Sequence, residues 1–587
     1  MKKTILFLLL VIMMLPAMAQ LQIPEEDIQE ITGPKNIQRT MNLLATSTPE
    51  KKNTVNILIY GQSLSAQDWW LDVRDYLEEK FPHANLNMQN KAIGGFSAQI
   101  LIRTVERDLL DYYPDLVIFH VFGSDIKYDE VLQKMRSLTS AEVLIWNDPQ
   151  NKVPKREWNT EMSYKKVPAF AAKYHCSFID LRTPIQSLVE ENNLVYADEF
   201  TKDGTHFNEK GCSLIAAQII PHLVYDENYP ADPYNLSTTY EVGKDVHWKN
   251  GELVLPFEGN RVDVVTAAIT NPEIRCEIYI DGKKPSEFQT AYNHTRPNDT
   301  GAGGWIWSVG APVRIRHKAP WVNETFTLTF DSINYETRYF SFHVRGSECG
   351  YDGRGNNRED FLSHSGRVLI EAGEVHEDDP GDWHVFRNYE VLNFKIEKGY
   401  HTTWKTYLMG MDKLVPLPQT SSAIENSTTL FKGIPNGKHE LKLVSSGKQL
   451  PKIEKIRVYS PLLNQNSGLY LSHKTDLLDR ADAVVEKFSE LHNNFQTEKD
   501  AWGNYTMDLA FEGMLAVDRA LGEDKYLPLV QDVMQKRGRS PKSVVSYKSQ
   551  PFGCITFELF RATSDSAYVK AGVAESKKFY NEITRLP

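Results

Sequence analysis

Strand-length apolar runs alternate with segments of helical periodicity over residues 55–224, and this alternation constrains the fold more than any other feature of the chain. The strand-length runs are Val55–Tyr60, Leu116–Phe122, Glu142–Trp146 and Ser177–Leu181. The segments with helical spacing are Gln67–Phe81, Ile126–Leu138, Trp158–Tyr174, Thr183–Asn192 and Asn208–Val224. Such alternation predicts a doubly wound parallel α/β sheet, which we expect over residues 54–228, with its active groups at the carboxyl ends of the strands.

Two later changes in sequence character divide the rest of the chain. Residues 237–460 are rich in Thr, Val, Tyr and Phe with period-two alternation, which is typical of β-sandwiches. We expect one sandwich over 237–345 and a second sandwich, or a continuation of the first, over 346–462. Residues 468–587 show amphipathic helical spacing and predict an all-helical C-terminal segment. The chain is therefore expected to be multidomain.

The first nineteen residues have the pattern of a signal peptide. Lys2 and Lys3 precede an apolar run from Ile5 to Met14, and Ala17-Met18-Ala19 forms a cleavage site before Gln20. The apolar run is shorter than the ~20 residues that span a bilayer, so we expect export rather than membrane insertion. The mature protein would be periplasmic or secreted, and residues 20–53 are expected to be an irregular lead-in segment.

Charge and cysteine content exclude several classes of function. The chain has 66 Lys and Arg against 77 Asp and Glu, a net charge of −11, which argues against nucleic acid as the main partner. Its five cysteines are scattered without a C-x-x-C pair, so a zinc ribbon, an iron–sulfur site or a disulfide scaffold is not expected.

Ser63 is a candidate nucleophile because it lies where the first strand gives way to a helix. The sequence Gly61-Gln62-Ser63 follows the apolar run, which places the Ser63 hydroxyl at the top of the sheet. Taken alone, such a serine is more often only a helix cap. Asp203 and His206 strengthen the catalytic interpretation, because a loop holding both before the last helix can supply a general base and the carboxylate that orients it.

These residues resemble the sequence blocks of the SGNH hydrolase superfamily, the GDSL-type esterases. Gly61-Gln62-Ser63 matches the first block, and the Gln also occurs in carbohydrate-active branches. Asn90-Lys91-Ala92-Ile93-Gly94-Gly95 matches the second block, and Asp203 and His206 match the last. The resemblance implies a serine esterase with Ser63, Asp203 and His206 as catalytic residues, no metal or organic cofactor, and an oxyanion hole formed by the N–H groups of Ser63 and Gly95.

The third block departs from the family pattern at Asp125. The family has Gly-x-Asn, whose amide donates to the oxyanion, whereas this chain has Gly123-Ser124-Asp125. An ionised carboxylate has no donor and repels an oxyanion. Three outcomes stay open: Asp125 is protonated by burial and donates, it turns away to a cation or a backbone N–H, or the site is a relic that only binds.

Two other residues are candidates for substrate contact. Trp69 follows Ser63 by less than two helical turns and could form the floor of a sugar-binding surface, although helix packing is the commoner use of such a residue. Asn147 follows the strand Glu142–Trp146, so its amide would lie at the active edge of the sheet.

The helical tail has a resemblance of its own. Trp502-Gly503-Asn504-Tyr505 and the segment 511–516 are similar to the opening helices of the (α/α)-barrel of unsaturated rhamnogalacturonyl hydrolases. A closed barrel needs roughly 300 residues, so the segment is expected to be either a partial barrel or a helical cap, and no catalytic residue is assigned there.

Three functions follow from these patterns. The main expectation is an exported esterase that removes acyl groups, acetyl above all, from a polysaccharide or a small acylated sugar. The alternatives are a non-catalytic glycan-binding protein with a degenerate esterase domain, and a glycosidase acting through the helical tail.

Overall fold

The computed structural model describes residues 31–149, 156–266, 276–298, 310–375, 381–414, 423–445 and 450–463, and short stretches between residues 511 and 577. Residues 1–465 and 466–587 form two separate compact units. The expected signal peptide, residues 1–19, lies outside the described residues. Among the helices that are described, none combines the length and apolar character needed to cross a bilayer.

A parallel five-stranded sheet forms the first domain of unit 1. Its strands are β1 (Thr54–Gly61), β2 (Asn85–Asn90), β3 (Leu116–His120), β4 (Glu142–Trp146) and β5 (Ser177–Ile179). Their order is β2-β1-β3-β4-β5, and every neighbouring pair is parallel. The central strands β3 and β4 are buried along their whole length, as expected for a sheet covered on both faces.

Helices cover this sheet and connect its strands. They are α1 (Gln38–Ala45), α2 (Trp69–Lys80), α3 (Ala98–Leu101), α4 (Val105–Tyr112), α5 (Asp125–Leu138), α6 (Arg156–Glu161), α7 (Val167–Lys173), α8 (Arg182–Glu191), α9 (Tyr196–Phe200) and α10 (Glu209–Ile219). A π-helical turn at Met162–Lys166 joins α6 to α7, and 3-10 turns lie at Pro34–Ile37 and Ile220–His222. The predicted α/β domain is thus confirmed.

The lead-in segment is ordered where it is described, which corrects the expectation of an irregular segment over 20–53. Helix α1 buries Met41 and Leu44 against the core of the sheet, an i, i+3 spacing typical of one helical face. The backbone N–H groups of Arg39 and Thr40 donate to the Glu142 carboxylate at 2.9 and 2.8 Å. The segment therefore covers the amino ends of the strands.

Antiparallel sheets form the β-rich part of unit 1. The strands are β6 (Ser237–Glu241), β7 (Glu252–Thr266), β8 (Cys276–Ile280), β9 (Tyr292–His294), β10 (Arg316–His317), β11 (Glu324–Asn334), β12 (Tyr339–Gly346), β13 (Gly350–Asn356), β14 (Phe361–Leu362), β15 (Val368–Ile370), β16 (His401–Leu408), β17 (Lys413–Leu414), β18 (Ser427–Ser445) and β19 (Ile453–Tyr459). Short helical elements lie at Pro285–Glu287, Gln289–Ala291 and α11 (Val385–Leu392).

The strand order shows that one β module is inserted into another. One sheet has the order β17-β8-β18-β7-β19-β6, so its strands come from both ends of the region. The strands between β8 and β17 form a five-stranded sheet, β13-β12-β11-β16-β9, and a three-stranded sheet, β10-β15-β14. The expected boundary at 345/346 falls within β12 and is corrected, because β12 pairs with β11 before it and β13 after it.

Unit 2 is helical in its described stretches. Helix α12 (Leu527–Gly538) and shorter helical stretches surround a small apolar core. The core residues are Phe511, Met514, Leu515, Tyr526, Leu527, Val530 and Leu559. The expected helical segment 468–587 is confirmed in these stretches, whereas residues 468–510 of that segment lie outside the described residues.

Candidate active site

The candidate residues Ser63 and Asp125 follow β1 and β3, the neighbouring strands between which the strand order of the sheet reverses. From β1 the chain goes to β2 on one side and then to β3 on the other. Sheets of this order bind ligands in the crevice outside the carboxyl ends of β1 and β3. Ser63 follows β1, and Asp125 begins the helix that follows β3. The topology therefore brings the blocks that carry these two residues to the same edge.

The Ser63 turn is fixed to the neighbouring strand through the carbonyl of His120. Gln62 N donates to His120 O at 3.3 Å, and Ser65 Oγ donates to the same oxygen at 3.0 Å. Gly61 has φ +138°, and a Cβ there would lie 1.8 Å from His120 O, so the close approach requires glycine. Ser63 itself is half-buried, and its hydroxyl reaches solvent without a hydrogen-bond partner among the described residues.

Asp203 and His206 form a hydrogen-bonded pair. His206 Nδ1 lies 2.7 Å from Asp203 Oδ2, while Asp203 Oδ1 accepts from the backbone N–H groups of Thr205 and His206 at 2.9 and 2.8 Å. These bonds, above all the side-chain bond to His206, hold the pKa of Asp203 well below its usual range. An ionised Asp203 fixes the proton on Nδ1 and leaves Nε2 as the basic nitrogen of the ring.

A glutamine joins the Ser63 turn to the His206 loop. Gln67 Nε2 donates to Phe207 O at 3.0 Å, and Gln67 Oε1 accepts from Phe207 N at 2.9 Å. Phe207 is fully buried, so this junction is anchored in the core. The structure shows no hydrogen bond between Ser63 and His206, a common finding without substrate, since catalytic hydrogen bonds tighten in the substrate complex.

The loop that carries Gly95 is anchored to the same turn. Asn90 Nδ2 donates to Ser65 O at 2.9 Å, and Asn90 Oδ1 accepts from Ala92 N at 3.0 Å. Ile93 N donates to Gly61 O at 2.9 Å. Gly95 is exposed, and its N–H is not a donor in the backbone hydrogen bonds of the described residues. Its N–H thus remains available to an incoming ligand.

Asp125 takes the second of the three outcomes left open by the sequence. Its Oδ2 lies 3.1 Å from Lys166 Nζ, and both side chains are partly exposed. Its Oδ1 accepts from Ile126 N at 3.0 Å, at the start of α5. The carboxylate is thus engaged with a cation and a backbone N–H, as acidic groups at helix N-termini commonly are.

The two candidates for substrate contact are structural residues instead. Trp69 is fully buried, donates from Nε1 to Leu64 O at 2.8 Å and packs edge-on against Trp146. Asn147 is 1% exposed. Its Nδ2 donates to Asp180 at 2.8 Å and its Oδ1 accepts from Leu181 N at 2.9 Å. Neither side chain is free to meet substrate, so both expectations are corrected.

Sequence reasoning missed a buried pair beneath the Ser63 turn. His120 Nε2 lies 3.0 Å from Asp148 Oδ1, and the His120 ring stacks on Trp146 at 4.0 Å. Burial alone would raise the pKa of Asp148, but His120 and its other partners lower it. His120 is the last residue of β3, and Asp148 lies two residues after the neighbouring parallel strand β4. Two titratable residues at the carboxyl ends of consecutive apolar runs were the available signal in the sequence.

No family model and no curated protein matches the chain. Among the described residues there is no group of three or more His, Cys, Asp or Glu side chains that could hold a metal ion.

Solved structures of esterases are similar to parts of the chain at low identity. A two-domain esterase active on acetylated mannans has 15% identity, with 73% of this chain and 95% of that chain covered and a TM-score of 0.27. An acetylxylan esterase from Geobacillus stearothermophilus has 14% identity, with 30% and 98% covered and a TM-score of 0.26. A GDSL-like lipase from Parabacteroides merdae has the same identity, coverage and TM-score.

Proposed function

We propose that the α/β domain is a serine esterase with Ser63 as nucleophile, His206 as general base and Asp203 as the group that orients His206. The observation that carries the proposal is the junction at Gln67. It fixes the loop of the hydrogen-bonded Asp203–His206 pair to the turn that presents Ser63. A nucleophile, a base and an orienting carboxylate on one rigid edge are the parts that acyl transfer requires.

The reaction has two steps, acylation of Ser63 and hydrolysis of the acyl-enzyme. Ser63 Oγ attacks the ester carbonyl carbon while its proton passes to His206 Nε2, and Asp203 stabilises the imidazolium through Nδ1–H. The N–H groups of Ser63 and Gly95 bind the oxyanion. The intermediate expels the alcohol, which takes the proton from His206, and leaves an acyl-Ser63. Water then attacks the acyl group with His206 again as base, releasing the carboxylic acid and restoring Ser63.

An acetylated sugar, and a polysaccharide in particular, is the substrate class we propose. The His206 and Asp203 side chains are 42% and 53% exposed, so the catalytic edge is open enough for a chain to lie across it. Gln62 in the first block and the attached β modules also favour a carbohydrate. Export, on the pattern of residues 1–19, would place the enzyme where such polymers occur.

Hydrolysis of p-nitrophenyl acetate, acetylated xylan and acetylated pectin tests this function. Ser63→Ala should fold normally and lose nearly all release of acetate, because the triad acts as a unit. Ser213→Ala is a matched control, since Ser213 is an exposed serine on α10 whose Oγ donates to Asp72 and not to a proposed catalytic residue. Equal activity of folded Ser63→Ala and the parent on every ester would contradict the proposal.

A glycan-binding protein without turnover is the second candidate, and the position of Asp125 favours it. The family amide donor is absent, and its replacement is paired with Lys166. This alternative predicts binding of acetylated oligosaccharide by both parent and Ser63→Ala, with no acetate release by either. Acetate release that depends on Ser63 would exclude it.

A further inference from the structure

We propose that the side-chain amide of Gln99 supplies the oxyanion donor that the family takes from the asparagine replaced here by Asp125. This inference rests on the proposed esterase function and concerns the same site. Losing one preorganised donor typically costs about 100- to 1,000-fold in rate, so a replacement amide would have a large effect.

The position of Gln99 follows from two backbone segments that run together. Ala98 N donates to Phe122 O at 2.8 Å, and Ser124 N donates to Gln99 Oε1 at 3.0 Å. The segment that begins with Gly95 is therefore joined to the segment Gly123-Ser124, the very block in which the family amide occurs.

Gly123 provides the space that the Gln99 side chain occupies. Its φ is +131°, and a Cβ built on it would lie 2.3 Å from Gln99 Oε1 and 2.9 Å from Ala98 N. Any larger residue at 123 would displace the Gln99 amide. The position of the Gln99 side chain thus explains why residue 123, in the third block, is a glycine.

The hydrogen bond from Ser124 also fixes the orientation of the amide. Because Oε1 accepts a backbone N–H, the other end of the amide must be the NH₂ group. Nε2 has no hydrogen-bond partner among the described residues, and it is not among their buried unpaired polar atoms, so it reaches solvent. Gln99 therefore presents two available N–H donors beside Gly123.

The charge at Asp125 is compatible with this role. Its carboxylate is engaged by Lys166 Nζ and Ile126 N. An amide from Gln99 would supply the donor that a carboxylate lacks, without requiring Asp125 to be protonated.

The test compares kcat and KM of full-length parent, Gln99→Ala and Gln99→Glu on p-nitrophenyl acetate at about pH 8. Gln99→Glu keeps an acceptor for Ser124 N–H but has no donor when ionised. We expect both variants to lose about 100-fold or more in kcat with KM within about threefold. Adding Asp125→Asn to Gln99→Ala restores an amide at the family position and should recover at least about tenfold.

Parent-like kcat in both single variants would overturn the inference. So would parent-like kcat in Gln99→Glu with a loss only in Gln99→Ala, because anchoring of Ser124 would then be the role of Gln99. A parent without Ser63-dependent hydrolysis would overturn the proposed function and this inference together, whereas an active parent with active Gln99 variants overturns this inference alone.

Discussion

Gln67 holds the backbone of Phe207 at both of its polar groups, donating to the carbonyl at 3.0 Å and accepting from the N–H at 2.9 Å. Gln67 belongs to the turn that carries Ser63, and Phe207 directly follows His206. One side chain therefore links the segment of the proposed nucleophile to the segment of the proposed base, although the two are far apart in sequence.

Gln67→Ala should impair catalysis more than substrate binding. Two neutral hydrogen bonds are lost, at a cost of about 1 kcal/mol each in the free energy of unfolding. Small misplacements of catalytic groups can cost up to about 100-fold in rate, so we expect kcat to fall about 10- to 100-fold with KM little changed. Steady-state kinetics checks this, with Gln89→Ala, an exposed glutamine on β2, as control. An unchanged kcat in folded Gln67→Ala would show that the link does not position His206.

Arg296 in the inserted β module should be required for stability and for the geometry of the Gly95 loop. Its guanidinium contacts the Asp108 carboxylate at 2.9 and 2.7 Å and donates to Lys91 O at 2.7 Å, on the loop that leads to Gly95. Asp108 and Arg296 are 1% and 5% exposed. Breaking a buried ion pair costs about 3–5 kcal/mol, and Asp108 keeps Arg107 as a second buried partner at 3.1 Å. Arg296→Met should therefore destabilise toward the lower end of that range and lower kcat.

Urea unfolding and kinetics on the same preparations test the Arg296 prediction. Arg354→Met is the matched control, because Arg354 pairs with Asp331 on the surface and is 65% exposed. Such a pair should contribute less than about 1 kcal/mol. Equal stability losses in the two variants would refute a special role for the Arg296–Asp108 pair.

Asp125→Asn should leave the parent enzyme as active or make it faster at about pH 8. The pair with Lys166 is partly exposed, so its loss should change the free energy of unfolding by less than about 1 kcal/mol. Removal of a negative charge near the developing oxyanion favours the transition state. The measurement is kcat/KM on one acetyl ester over roughly pH 5–9, which spans the ionisation of an ordinary histidine. A fall of about a hundredfold at every pH would assign the carboxylate a positive role.

Unit 1 should lose stability as the pH falls from about 6.5 to 4. Burial lowers the pKa of His222 and of His384 to about 4, and that of His294 to about 3. Between pH 4 and the ordinary histidine pKa of ~6.5, the unfolded chain binds protons that the folded chain does not, so stability rises with pH there. Within that window, each histidine changes the free energy of unfolding by about 1.4 kcal/mol per pH unit.

Glu142 acts in the opposite direction over part of this window. Burial raises its pKa to about 7, so the folded state retains a proton that the unfolded state has released above pH ~4.5. The pH dependence that Glu142 adds to the free energy of unfolding cancels that of about one histidine. A net loss of stability toward acid pH therefore remains. Chemical unfolding at pH 7, 6 and 5 measures the slope, and stability that is flat or higher at pH 5 would contradict the prediction.

The sequence predicted the buried parts of the α/β domain well and missed its polar parts. The apolar runs at β1, β3 and β4 mark strands whose side chains are nearly all buried. Strand β2 has the sequence Asn-Leu-Asn-Met-Gln-Asn and lies at the edge of the sheet, so it needs no apolar run and was not predicted. Strand pairing across the β-rich region is also non-local, which is why local patterns placed a boundary inside β12.

At the site, the sequence indicates the residues that we propose carry chemistry, but it does not show how they are held. Asp203 and His206 share one loop, so their pairing follows from local spacing. Trp69 is fully buried and packs edge-on against Trp146 from β4, a contact between distant segments that the spacing within α2 does not show. Gln67 and Gln99 act through backbone groups of distant segments, which no local pattern shows.

The measurement that tests the central claim most directly is covalent labelling of Ser63 by an organophosphate ester, a general reagent for serines activated by a neighbouring base. Peptide mass spectrometry of the full-length parent should find one phosphorylated site, Ser63, with labelling in step with the loss of acetyl ester hydrolysis. His206→Ala should label much more slowly, and Ser213→Ala at the parental rate. A parent that hydrolyses acetyl esters while Ser63 stays unlabelled, or that is labelled at another serine, would contradict the account.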